Sequence, residues 1–152
     1  MSIVEVTERI DASPERIWEV IGNPVAMSDL TAECTGMTWV GEADGPALGA
    51  RFRGKNRSGW RRWTTTCTVV RYRPDSEIAW DVTYGPLSVA TWGYRIEEDG
   101  KGGATVSERF EDRRGSALRA VGPLVRGTRD PDGHNRANMT TTLARIKARA
   151  EG

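Results

Sequence analysis

Histidine and cysteine are scarce in this chain of 152 residues, which holds one histidine and two cysteines. A lone imidazole, His134, excludes a metal centre built from several histidines. No cysteine or carboxylate cluster has ligand spacing either, so neither metal nor cofactor is expected. Cys34 and Cys67 stand far apart in sequence and read as reduced, structural thiols. No apolar run approaches the roughly 18 residues of a membrane-spanning helix, and the N-terminus lacks a charged start followed by an apolar stretch. A cytoplasmic protein with no stable membrane association is the expectation. No G-x-S-x-G elbow, P-loop or dinucleotide glycine motif occurs, which argues against the common hydrolase, kinase and dehydrogenase classes. A dominant charge is missing too: 22 basic residues face 21 acidic ones, for a net charge of +1.

Against that balance one stretch stands out. Residues 49–73 carry eight Arg or Lys side chains and no acid. Arg51, Arg53, Lys55 and Arg57 alternate with Phe52, Gly54, Asn56 and Ser58, so a strand there turns its cations to one face and a quieter set to the other. Interleaved Arg and aromatic side chains also suit a single-strand nucleic-acid platform or an anionic surface. The near-neutral total weighs against that reading, because acids such as Glu97, Glu98, Asp99, Glu111 and Asp112 can answer the cations across an outer sheet face. No nucleic-acid partner is expected.

The length fits one domain, residues 1–152, with room for one sizeable core. Val4, Val6 and Ile10 alternate with polar residues and predict a first strand. Ser13 reads as an N-cap and Pro14 as the first residue of a helix. Glu15 is its first-turn acid, and Ile17, Val20 and Ile21 form a stripe ending near Gly22. Pro24 opens a second short helical piece to about Leu30. Strands then follow over about 36–42, 49–58, 61–73, 77–84, 89–98 and 104–112, separated by turn signals such as Pro74-Asp75 and Gly85-Pro86. Residues 115–130 read as a short helix and a loop. After Asp130-Pro131 comes a last helix whose stripe is Asn135, Met139, Thr142, Leu143, Ile146 and Ala150. An antiparallel meander covered by one amphipathic helix makes an α+β layer, with the sheet wrapped around the helix. The polar start of the stripe, Asn135 with nearby His134, suits a wet or ligand-filled pocket better than a packed core.

The order of these elements, with the segments IDASPERIWEVI (10–21), GARFRGKNRSGWRRWTTTC (49–67), ATVSERFED (104–112) and HNRANMTTTLARIKARAE (134–151), resembles the START-like, or SRPBCC, superfamily of polyketide cyclase/dehydrase and lipid transport proteins. The resemblance covers nearly the whole chain. It implies a helix-grip fold like that of the Bet v 1 proteins: a seven-stranded antiparallel sheet around a long C-terminal helix, enclosing a cavity for an apolar or amphipathic small molecule. It does not fix the chemistry, because such a fold hosts carriers, sensors, cyclases, aromatases and hydrolases.

Candidate site residues are the polar and aromatic side chains on the apolar phase of each element. Glu108 lies in phase with Val106 and Phe110, and Glu8 with Val4, Val6 and Ile10. The resemblance makes the first and last strands neighbours. Two close carboxylates in a dry site would then push one pKa upward and leave an acid beside a base, suited to cyclisation or dehydration. The alternative is that each pairs with an arginine at a rim. His134, in the first turn of the last helix, is the second candidate proton carrier, since the helix dipole favours its neutral form; a surface or capping role is the alternative. Asn56 and Ser58 share the phase of Phe52 and can orient a ligand oxygen. Trp63, Trp80 and Trp92 can stack on a flat ligand or simply pack a core. Asn135 and Met139 face the pocket from the helix. The sequence offers no inward arginine–tyrosine pair of the kind that aromatase/cyclase members use. Binding or carriage of a hydrophobic or aromatic molecule therefore leads, a polyketide cyclase, aromatase or dehydratase activity stands second, and a homodimer is left open.

Overall fold

The computed structural model describes residues 3–31, 34–58, 60–113 and 131–152; the segment 115–130 lies outside the described residues. Seven strands form one antiparallel sheet: β1 (Ile3–Ile10), β2 (Cys34–Trp39), β3 (Arg51–Ser58), β4 (Arg61–Arg73), β5 (Glu77–Tyr84), β6 (Leu87–Glu98) and β7 (Ala104–Asp112). Their spatial order is β1-β7-β6-β5-β4-β3-β2. Five consecutive hairpins build β2 to β7, and β1 closes the far edge by pairing with β7. The helix α1 (Pro14–Ile21) follows β1, and the 21-residue helix α2 (Pro131–Glu151) lies along the concave face, against β1, β7 and α1.

Local chemistry explains α1 well. The Ser13 hydroxyl accepts a hydrogen bond from the Arg16 amide at 3.1 Å, a cap worth about 1 kcal/mol. Pro14 occupies the first turn, and Ile17, Val20 and Ile21 are buried. Gly22 ends the helix with a right-handed φ of −71°. Conformational freedom is not what is needed here: a Cβ would sit 2.6 Å from the Trp18 indole, which leans on Tyr72 at a centroid distance of 5.6 Å.

Several expected boundaries move. The piece after Pro24 begins with the Asn23 side chain accepting from the Ala26 amide at 3.1 Å and runs through turns to a 3-10 turn, Ser28–Leu30, rather than as one helix to Leu30. β2 begins at Cys34 instead of 36, β3 at Arg51 instead of 49, and β6 at Leu87 instead of 89. Gly49, with φ +84°, turns the chain into β3, and its amide bonds the Val69 carbonyl outside the regular ladder. Register shifts mark β2 near Cys34/Gly36, β4 near Val69/Arg71 and the β5–β6 pair near Val82/Thr83. Each bulge bends its strand, and together they let the sheet curl around α2.

The core lies between the sheet and α2, where Ile10, Phe52, Val69, Ile78, Val106, Met139, Leu143 and Ile146 are fully buried. Every member of the expected α2 stripe is buried. Side chains clamp the C-terminal half of this helix. Arg16 donates to the carbonyls of Arg149 and Ala150 at 2.9 and 3.3 Å, and Lys147 donates to the Arg9 carbonyl at 3.0 Å. These groups satisfy carbonyls at and around a helix end that would otherwise be bare. The N-terminal half, with Asn135 and Asn138, is left over the middle of the sheet.

The outer face is polar. Arg51, Arg53 and Lys55 are exposed, while Phe52 and Gly54 between them are buried. Acids meet cations on this face, as in Arg71–Glu77 at 3.6 Å, Arg9–Asp99 at 2.8 Å and Arg113–Glu111 at 3.4 Å. Asp112 departs from the expected outer position: it continues the inward phase of β7 and is buried. No described helix is long and apolar enough to cross a membrane.

Candidate functional site

Where the polar half of α2 crosses the sheet the two layers do not meet, and a cavity of about 130 Å³ remains. An engineered cavity of about 150 Å³ holds one benzene molecule, so this space suits one aromatic ring or one end of a longer molecule. Its walls come from six strands, β2 to β7, and the helix. Asn56 on β3, Trp63 on β4, Trp80 on β5, Trp92 and Tyr94 on β6, Glu108 on β7, and Asn135 and Met139 on α2 all line it.

Alternation of side chains along each strand brings them together. Trp92, Tyr94 and Ile96 occupy one face of β6, and the register sets Tyr94 opposite Glu108 and Ile96 opposite Val106. The Tyr94 phenol and the Glu108 carboxyl come from residues that stand directly opposite each other in this register, and the two groups interact. Glu108 is 3% exposed, and its Oε1 has no partner among the described residues. Burial raises the pKa of this carboxyl from 4.5 to about 8, opposed by the Tyr94 hydrogen bond. Near neutral pH Glu108 is therefore a carboxylic acid. Burial also holds the Tyr94 phenol well above its ordinary value, with the Glu108 charge adding to the effect.

Across the cavity, Asn135 is 2% exposed and its Nδ2 has no partner among the described residues. An unmet buried donor or acceptor costs about 1–3 kcal/mol, so two of them facing one space mark a place where a bound molecule gains hydrogen bonds. Asn56 is anchored instead. Its Nδ2 donates to Thr65 Oγ1 at 3.2 Å and to the Gly54 carbonyl at 3.4 Å. The Trp80 ring is held between neighbours, with Phe52 at 5.8 Å and Tyr94 at 6.0 Å between centroids, and Trp92 rests on Phe110 at 4.7 Å. These contacts fix the aromatic walls before any ligand arrives.

Asn56, Trp63, Trp80, Trp92, Glu108, Asn135 and Met139 thus share one cavity, while Phe52, Phe110 and Glu8 do not line it. Phe52 and Phe110 are buried behind the wall and support Trp80 and Trp92. Glu8 is half-buried and shares the inward face of β1, yet it does not line the cavity. The register places Val6, not Glu8, opposite Glu108, with Glu8 opposite Val106. The raised pKa of Glu108 thus arises from burial rather than from a carboxylate pair. Ser58 and His134 have side chains outside the described residues.

Sequence reasoning did not single out Tyr94, although it lies in phase with Trp92. Its role depends on cross-strand register, which periodicity within one strand does not reveal. An inward tyrosine does exist, but its partner is Glu108, and no arginine occurs among the described lining residues. Thr65, Asn138 and Thr142 add further neutral polar groups to the wall. Among the described residues no three His, Cys, Asp or Glu side chains come together as a metal site.

Comparison with known proteins agrees with this geometry. The sequence model of the family described as "Polyketide cyclase / dehydrase and lipid transport" matches residues 1–151. No curated protein shows significant similarity to the chain. Among solved structures, a polyketide-cyclase-like protein from Corynebacterium glutamicum superposes with a TM-score of 0.59 at 20% identity, covering 98% of this chain and 88% of that one. Ginseng major latex-like protein 151 from Panax ginseng superposes with a TM-score of 0.73 at 11% identity, covering 99% and 98%. The di-domain ARO/CYC BexL from the BE-7585A biosynthetic pathway gives a TM-score of 0.69 at 16% identity, and 99% of this chain spans 48% of it, about half of that protein. At these identities the likeness shows a shared helix-grip fold.

Proposed function

We propose that this chain, which belongs to the polyketide cyclase / dehydrase and lipid transport family, binds or carries a small apolar or aromatic molecule in the cavity between α2 and the sheet. One observation carries the reading: Glu108 and Asn135 are buried side chains that line a cavity walled by three tryptophans, and each holds a polar atom, Oε1 and Nδ2, with no partner among the described residues. A fold that needed only a packed core would have filled the space or omitted the polar groups.

The test is occupancy. Native mass spectrometry with solvent extraction is expected to release a small molecule from the purified protein, and titration with toluene is expected to shift the methyl signals of Met139. Ala90 lies on the wall and is buried, so Ala90→Phe fills the space. That variant is expected to lose the toluene shifts, with affinity down by a factor of about 100 or more, while its circular dichroism is unchanged. Equal toluene binding by both proteins would overturn the reading.

A second reading has its own observation. Glu108 keeps a proton near neutral pH beside the cavity and can deliver it to a carbonyl oxygen, the step that starts an aldol-type cyclisation or a dehydration. Turnover of a poly-β-ketone that falls at least about a hundredfold in Glu108→Gln, with its dissociation constant unchanged, identifies such an enzyme. Equal loss of binding and turnover favours carriage.

A further inference from the structure

The cavity also specifies the polar end of its ligand. Glu108 Oε1 and Asn135 Nδ2 belong to side chains 3% and 2% exposed, sit on opposite layers, and line the same space. An amide nitrogen only donates. Oε1 of Glu108 has no partner among the described residues, so a protonated Glu108 has an O–H to offer to the cavity. Both orphan groups are then donors, and what satisfies two donors is an acceptor.

The charges around the site narrow the class further. No Arg, Lys or His occurs among the described lining residues, so those residues offer a buried carboxylate no counter-charge. A cationic ligand would demand that Glu108 ionise. The groups facing Glu108 can be named by element. β6 presents Tyr94, and β1 presents Val6 directly with Glu8 diagonally beyond. β7 itself carries Asp112 on the same face, and the described cavity-facing side chains of α2, Asn135, Asn138, Met139 and Thr142, are neutral. None of these brings a positive charge that would hold Glu108 ionised.

We propose that the cavity selects an uncharged molecule whose ring-sized apolar body bears a carbonyl acceptor, held by Glu108 and Asn135 as two donors, and that it rejects carboxylates, ionised fatty acids included. The proposal rests on the binding reading above and gives that reading a pH dependence. The Glu108 proton is present below about pH 8 and is lost above it, and the acceptor loses one of its two donors.

A matched set of one-ring probes tests this by NMR titration of the full chain: acetophenone, α-methylstyrene as its isostere without an acceptor, benzoate and benzylammonium. At about pH 6, acetophenone is expected to bind about tenfold tighter than α-methylstyrene, and benzoate at least about a hundredfold weaker than acetophenone. Raising the pH to about 9.5 should weaken acetophenone about tenfold and leave α-methylstyrene unchanged. Glu108→Leu and Asn135→Leu should each erase most of the preference for acetophenone over α-methylstyrene, and Glu108→Gln should keep that preference but lose the pH dependence. Equal binding of the two neutral probes by the native protein would overturn the proposal while leaving the pocket standing. Benzylammonium binding that tightens as the pH rises would overturn it in favour of a cation site. Binding of none of the probes would overturn both readings.

Discussion

Glu108→Gln is expected to make the ligand-free protein more stable above pH 8 by up to about 5 kcal/mol, the cost of holding a carboxyl that titrates near 8 in the fold and near 4.5 when unfolded. The folded state binds this proton more tightly than the unfolded chain does. The stability that the carboxyl contributes is fully present below about pH 4.5, declines as the unfolded group ionises, and is lost as pH rises through about 8. Exposed groups run the other way. Asp29 and Glu151 have their pKa values lowered, chiefly by side-chain hydrogen bonds to Arg149 and Lys147, so what they contribute is lost in acid. Comparing native and variant proteins at each pH cancels those terms. Urea unfolding at about pH 5.5 and about pH 9 should show the advantage of the variant growing by about 3 kcal/mol. A constant difference between the two pH values would mean that Glu108 is not buried as a neutral acid.

Phe52→Ala is expected to cost about 4 kcal/mol and to lower Tm by roughly 10 °C. Phe52 is completely buried, edge-on to Trp39 at 5.6 Å and to Trp80 at 5.8 Å between centroids. Truncation removes the ring that links those two indoles and leaves a void which neighbours in a curved sheet cannot close. Calorimetry and tryptophan emission check the result, since Trp80 would lose one of the two rings that fix it. Because Phe52 stands behind the cavity wall, the fold should suffer far more than the contacts a ligand makes with Glu108 and Asn135. A loss below about 1 kcal/mol would show that the aromatic row repacks, and that these walls are not rigid before a ligand binds.

Both predictions turn on residues that the sequence already marked, though it assigned them different parts. Phe52 was expected at the ligand and instead supports Trp80. Glu108 was expected to owe its chemistry to Glu8 and instead owes it to burial, which Tyr94 partly opposes. In each case periodicity told correctly which way the side chain points. It did not tell which residue of the adjacent strand stands opposite. Register comes from turns and bulges, and three register shifts in this sheet move pairings in ways that no single strand announces.

Resemblance to a known family implied the helix-grip fold, and the sequence by itself determined the capped first helix, the outward cations of Arg51 and Arg53, and the buried stripe from Asn135 to Ala150. Each depends on local chemistry or on a repeat of 2 or 3.6 residues, which neighbouring residues carry in full. Only the tertiary structure decided which residues of the inward phases, Asn56 and Trp63 among them, share one cavity. It likewise decided that Glu108 sits beside Tyr94 with Asn135 across from it. Those facts depend on curvature, register and the distance between two layers, and they emerge only when residues far apart in the chain exclude water together.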